Sequence, residues 1–384
     1  MKISQRSRGL RVAGSIFAIG ATLAAAACGS SSSKPATSAG GTSASSAGSS
    51  SAGSSSAGSS SAGSSMAGSS SATTSSGTGG AASGNVKIGI VELNLSNPFF
   101  GTLEKATESA AKANGWSVMK AEAKVPGDSA TQVTAIEDMI TNKVKAIVLD
   151  PANATALVDV VKKARAKGIL VVTVNATLSP IDAADATFAT DNTAAGKLIG
   201  QWAKVNGPTP AHIAMIDFDL SDGPSHGRHF GFLEGYGITD KSPLIVGTAL
   251  GKGTVDTGQS AMENLLSAHA NTNLLYTINE PTAHGAYTAI KNKGLAGKVT
   301  IVSVDGACSG VADVKSGIIG ATAMQFPSKM GQLAVQAIAA FVKDGTKPKS
   351  GLNDSGTMLI TDKPAAGITS QTSAWGLQNC WGTT

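Results

Sequence analysis

VKIGIVELNLSNPFFGT, residues 86–102, is the stretch from which the rest of the chain is read. It starts as an apolar strand pattern (Val86, Ile88, Ile90, Val91) and turns polar at Asn94, Ser96 and Asn97. Pro98 then opens a long helix-compatible run as its first residue, with Asn97 or Ser96 as the cap. The loop of this strand–loop–helix unit lies at the carboxyl end of the strand, where open α/β sheets bind ligands. Asn97 stands there beside two adjacent rings, Phe99 and Phe100. An amide reads hydroxyl groups through its donor and acceptor atoms, and a ring face covers the C–H face of a sugar. The plain alternative gives Asn97 a capping role only and puts both rings in a core.

Upstream of this unit the 384-residue chain carries no core-forming pattern. Lys2, Arg6, Arg8 and Arg11 precede an apolar stretch, 12–27, too short to span a bilayer, which predicts a secretory signal over 1–28. The small residues before Cys28 resemble a bacterial lipobox, with Leu23 further out than in the common pattern. Cys28 is thus the expected lipidation site, with plain cleavage after an Ala as the alternative. Residues 29–84 are nearly all Ser, Gly, Ala and Thr, with an SSSAG repeat. Such a segment buries no core and forms a flexible tether with a reach on the order of 40 Å. The expected location is the outer face of the bacterial cytoplasmic membrane, held by a lipid anchor alone.

The basic balance of the whole chain, 30 Lys and Arg against 25 Asp and Glu, is misleading. Four of the cations belong to the signal and Lys34 to the tether, so the remainder is neutral. A neutral body argues against nucleic acid as a partner. With Cys28 assigned to the anchor, Cys308 and Cys380 remain, and in an exported protein such a pair most simply forms a disulfide. Free thiols and metal ligands are the weaker alternatives, since neither Cys has His or Cys at metal-like spacing.

From residue 86 onward apolar strand candidates (86–91, 116–121, 146–149, 169–174, 213–216, 243–249, 274–278, 299–304, 318–324) alternate with helical periods (102–113, 130–141, 156–166, 193–205, 256–268, 282–292). Alternation of this kind predicts an α/β fold of doubly wound parallel sheets. About 300 residues of it exceed what one such sheet usually needs, so two similar lobes are expected. Polar residues recur where strands end: Asn94 and Asn97, Asp150, Asn175, Asn279 and Glu280, Asp305, Gln325. Arg228 is expected at the start of a helix after Asp217, Asp219 and Asp222. Each alone is more often a cap or turn residue. Together, beside two rings, they favour a sugar or polyol site.

At this point the chain resembles the periplasmic sugar-binding proteins of ABC importers, in the ribose-binding-protein family, and the fructose-binding members most. The resemblance covers about 86–382. It is carried by SNPFF (96–100), PIDAADATFATDN (180–192), YTINEP (276–281), VSVDG (302–306), GATAMQ (320–325) and NCWG (379–382). It implies two lobes joined by three crossovers and closing on a monosaccharide. The first lobe is expected to span 85–190 plus 326–349, the second 191–325 plus 350–384. Asn97, Phe99 and Phe100 match ligand contacts of the first lobe. Arg228, Asn279, Asp305 and Gln325 match those of the second lobe and hinge, and Asp191 falls at the first crossover. Where ribose binders carry an Asp-Arg pair this chain has Asn175-Ala176, so a bidentate cation and a carboxylate are replaced by one amide. Phe230 and Trp202 are candidates for an aromatic from the second lobe. The implied partners are an ABC permease and its ATPase, with no cofactor or metal and a monomeric body.

Three rival readings are weighed against this one. A sensor handing a sugar or furanose signal to a membrane receptor uses the same body. A transcription regulator needs a helix-turn-helix where this chain has an export signal. An enzyme is disfavoured because no H-E-x-x-H or P-loop pattern occurs in the folded part. His226 and His229, either side of Arg228, are expected to face solvent. Asp305 and Asp191 fit acceptance of sugar hydroxyls better than a glycosidase pair.

Overall fold

The computed structural model describes residues 86–382 except Asn94, Ser96 and Pro126. The signal, Cys28, the tether and Asn94 lie outside the described residues. The chain begins β1 (Lys87–Glu92), α1 (Pro98–Ala113), β2 (Ser117–Glu122), α2 (Ser129–Thr141), β3 (Ala146–Leu149), α3 (Val158–Ala166), β4 (Leu170–Val174) and β5 (Ala186–Ala189). It continues α4 (Asn192–Asn206), β6 (Ile213–Asp217), α5 (Gly223–Tyr236), β7 (Ile245–Leu250), α6 (Val255–Ala268), β8 (Leu274–Thr277), α7 (Glu280–Asn292) and β9 (Thr300–Asp305). It closes with α8 (Cys308–Ser316), β10 (Ala321–Met324), α9 (Pro327–Asp344), β11 (Leu352–Asp354), β12 (Met358–Ile360), β13 (Ser370–Gln371) and α10 (Ser373–Asn379).

These strands form two sheets, β11-β5-β4-β3-β1-β2 and β13-β12-β10-β9-β8-β6-β7. All pairings are parallel except β10 with β12. Central strands such as AIVL (β3) and LVVTV (β4) are buried on both faces, as parallel sheets covered by helices require. The first sheet packs Ile88, Val148 and Val172 against α1 and α9 on one face. Its other face packs Val91, Ile147 and Val171 against α2 and α3. The second sheet is covered in the same way by α4 and α5 on one side and α6 and α7 on the other.

The chain crosses between the sheets three times: from β5 to α4, from β10 to α9, and from β11 to β12. The last crossing corrects the expected boundary at residue 350. Leu352–Asp354 pairs with Leu352↔Thr187 register at the edge of the first sheet, so the first lobe runs through this strand. The extended backbone after Gly351 completes an otherwise open edge beside β5.

The helix carrying Arg228 has no strong apolar stripe. Its sequence GPSHGRHFGFLEGY instead repeats glycine every four residues. Gly227, Gly231 and Gly235 of that stripe pack against α4, which has glycines of its own. A Cβ on Gly196 would lie 2.2 Å from the Arg228 carbonyl oxygen, and one on Gly231 2.3 Å from that of Thr193. The two helices are therefore in near backbone contact, which fixes α5 rigidly. Cys308 is bonded to Cys380, tying the C-terminal tail to the start of α8.

Candidate ligand-binding cleft

Each strand end aims a polar group out of its sheet because the next helix starts there and needs a cap. Asn97 caps α1: its Oδ1 accepts from Phe99 N–H at 2.9 Å, with Pro98 in the first turn. Phe99 is buried in the first-sheet core, and Phe100 is half-buried and set edge-on to it, centroids 5.5 Å apart. Asn175 holds a left-handed backbone (φ 59°), which an Asn tolerates better than most residues. Its Nδ2 donates to both carboxylate oxygens of Asp150, at 3.2 and 3.1 Å. Asp191 is at the first crossing, where it caps α4 through Ala194 N–H and gives its own N–H to Asp354 Oδ1.

The second sheet gathers a tighter group. Asp305 ends β9 and accepts from Gln325 Nε2 at 3.0 Å, while Arg228 Nη1 lies 3.7 Å from the same oxygen. Arg228 also donates from Nε to Asn192 Oδ1 at 2.8 Å and from Nη1 to Ile278 O at 3.0 Å. All three of Arg228, Asp305 and Gln325 are buried, and Gln325 Oε1 has no hydrogen-bond partner. Behind them Glu280 accepts from Thr322 Oγ1–H and from the N–H groups of Gly306 and Ala307. Burial, with the Asp305 charge, pushes Glu280 up to about 8. Burial pushes Asp305 up to about 6 against the pull of Arg228 and Gln325.

Arg228 sits in the second turn of α5, not at its start as expected, because the helix begins at Gly223 under the Asp222 cap. Asn279 is a full cap of α7. Its Oδ1 accepts from Thr282 N–H and Oγ1–H, and its Nδ2 donates to Gly253 O, so the side chain is satisfied within the protein. Of the aromatic candidates, Trp202 is in the core and donates to Lys363 O. Phe230 is exposed, roughly 200° around the helix from Arg228. His226 is exposed as expected, but His229 is not. It is buried between Asp217 (3.0 Å) and Asp240 (2.7 Å), whose pull outweighs the cost of burial and raises the imidazole above its usual range. An Asp ending a strand opposite a helical His was the missed signal.

The two lobes approach each other beside these residues. A Cβ on Gly223 of the second lobe would lie 3.5 Å from Thr177 Oγ1 of the first, and the Asp222 charge bears on Asp150. Trp381, in the tail held by Cys380, sets its ring 5.3 Å from Phe99, centroid to centroid. It also donates its indole N–H to Gln325 O. Glu92, Asn192 and Trp381 are contributors that residue-by-residue reading passed over. Only the alternation of β1, which puts Ile88, Ile90 and Glu92 on one face, foreshadowed any of them.

Two parallel α/β lobes, three crossings and polar residues at the strand ends are the layout of a two-lobed binding protein. The sequence profile of the periplasmic binding protein domain matches residues 88–347, and the chain belongs to that family. It is 29% identical over 243 residues to the ribose import binding protein of Bacillus subtilis, covering 63% of this chain and 77% of that one. It is 26% identical to the D-ribose/D-allose-binding protein of Pseudomonas aeruginosa, covering 71% and 88%. Among solved structures, an ABC transporter solute-binding protein from Mycobacterium smegmatis with bound glycerol is 28% identical, with a TM-score of 0.66 over 76% of this chain and 99% of that one.

Proposed function

We propose that this chain is the solute-binding component of a carbohydrate ABC importer, exported and lipid-anchored through Cys28. On this reading it takes fructose or a similar hexose or pentose between its lobes and delivers it to a permease. The observation that carries the reading is the buried Arg228–Asp305–Gln325 group, which places a carboxylate acceptor, a guanidinium and an unpaired amide oxygen together. Facing hydroxyls would be matched pairwise as water leaves, with Asp305 accepting, Arg228 donating and Gln325 Oε1 taking a further donor.

Asn97, Phe100 and Asn175 supply the first-lobe side, with Phe99 as the ring that backs Phe100. Asn279 and Asp191 support the site by holding the helix starts beside it. A buried polar group left unpaired costs about 1–3 kcal/mol, so selectivity arises from sugars whose hydroxyls fail to match. Contacts to both lobes favour the closed form, which gives a permease a state to recognise.

A thermal-shift screen of ribose, allose, fructose, galactose and myo-inositol tests the assignment. A matching ligand at 100 times its Kd adds about 2.7 kcal/mol of stability and raises Tm. If no sugar or polyol shifts the transition, the assignment is wrong.

A further inference from the structure

At the rim of the first sheet two acids stand side by side. The register of β1 with β3 pairs Ile90 with Val148 and Val91 with Leu149, which brings Glu92 next to Asp150. Side chains two residues apart share a face, so both acids point to the side of Ile88, Ile90 and Val148. That is the face on which α1 packs, with Asn97 and Phe100 at its start. The two backbones are clamped together: Asp150 N–H donates to Val91 O, and Gln132 Nε2 reaches both Glu92 O and Asp150 O.

The two carboxyls differ in what they meet. Asp150 is held by the Asn175 amide. Glu92 is wholly buried, and neither of its oxygens has a hydrogen-bond partner. Burial, then the Asp150 and Glu104 charges, push Glu92 well above the usual carboxylate range; the nearby Leu93 backbone N–H pulls the other way without forming a hydrogen bond. Across the gap Asp222 bears on Asp150, and Arg228, which also pulls on Asp222, is engaged with Asp305. The surroundings therefore hold more acidic than basic side chains, and burial favours a retained proton on the Glu92–Asp150 pair.

An unpaired buried charge is costly, so with hydroxyl groups alone such a pair keeps a proton; a cation held by both acids lets that proton leave. An ammonium is such a cation, with three donors on one atom. Among the described residues no three acidic, His or Cys groups are placed to hold a metal ion.

We propose that Glu92 and Asp150 together receive a protonated amine, so that the cleft takes an amino sugar or amino polyol in preference to its neutral parent. This rests on the reading of the cleft as a sugar site and narrows it to a ligand class. Glu92 contributes its two unpaired oxygens, Asp150 the oxygen edge left beside Asn175, and the Arg228–Asp305–Gln325 group takes the remaining hydroxyls.

The test is calorimetry on the full chain at pH 7, titrating glucosamine, galactosamine and mannosamine beside glucose, galactose, mannose and N-acetylglucosamine. The expected result is that at least one amine binds ten-fold or more tightly than its hydroxyl parent, with the acetylated, uncharged form losing that gain. In Glu92→Gln the amine preference should fall to three-fold or less; Asp150→Asn serves the same purpose if the first variant does not fold. Neutral sugars binding as tightly as the amines would overturn this inference and leave the sugar cleft standing. No binding by either kind would overturn this inference, and the sugar cleft with it if the thermal-shift screen is also blank.

Discussion

Trp381 and Phe99 meet edge to face across the two lobes, with ring centroids 5.3 Å apart and planes at 78°. Trp381 belongs to a tail anchored on the second lobe: Cys308 N–H donates to its carbonyl, and the neighbouring Cys380 is bonded to Cys308. Phe99 belongs to the first-lobe core. The tail thus reaches over the gap and rests on the helix start that carries Asn97 and Phe100. Trp381→Ala should cost about 3 kcal/mol or more of stability, the usual range for losing a large buried ring. It should also weaken sugar binding, because Gln325 O loses its indole partner. Trp381→Phe keeps a ring and should do less on both counts. Thermal melts and calorimetry on both variants check this.

The disulfide closes a loop of 72 residues, long enough for a sizeable chain-entropy effect. Replacing both Cys308 and Cys380 with Ser should lower stability by about 2–4 kcal/mol in denaturant melts. The effect on ligand affinity should run in the same direction as that of Trp381→Ala, since both release the tail.

Binding should depend on pH through Asp305. Its carboxylate is the acceptor in the Arg228–Gln325 group, and burial holds it at about 6. Protonation removes the acceptor charge, so affinity should be flat above neutrality and fall by about ten-fold between pH 7 and pH 5, as one competing proton requires. Asp305→Asn should bind weakly at all pH values and lose this slope. Calorimetric Kd values at four pH points suffice to measure it.

Stability should respond in the opposite direction. Glu280 is raised from an ordinary carboxylate value to about 8 in the fold. A group with a raised folded value contributes stability that is complete below its unfolded value and is lost as pH climbs through the folded one. The Glu280 contribution should therefore decline from about pH 4.5 to about pH 8 and then level off. Glu280→Gln should remove that decline but destabilise at neutral pH by about 1–3 kcal/mol, because its amide would turn a donor toward one of the N–H groups of Gly306 and Ala307. Chemical denaturation from pH 5 to 9 reads both effects.

Much of this architecture is legible in the residues, for physical reasons. Strands such as 146–149 are uninterrupted apolar runs, and helices such as 130–141 have Asp128 as a cap and a buried stripe, so local pattern and tertiary burial agree. The strand-end rule then placed Asn97, Asn175, Asp305 and Gln325. What the residues concealed depends on partners far away in sequence. Helix α5 looks helix-poor because of its glycines, and only the close approach of α4 explains them. The edge strand Leu352–Asp354 has a single apolar residue and exists because β5 offers it an open ladder. His229 reads as solvent-facing because Asp217 and Asp240 lie 12 and 11 residues away, and the strand-ending Asp217 is only a weak signal until the fold brings it to the helix.

The central claim, that residues of separate lobes hold one sugar between them, is tested most directly by titrating Asn97→Ala and Asp305→Ala with the sugar that gives the largest thermal shift. Each substitution should raise Kd by at least 30-fold, about 2 kcal/mol, while melts without ligand confirm that both variants fold. Wild-type affinity in either variant would contradict the claim.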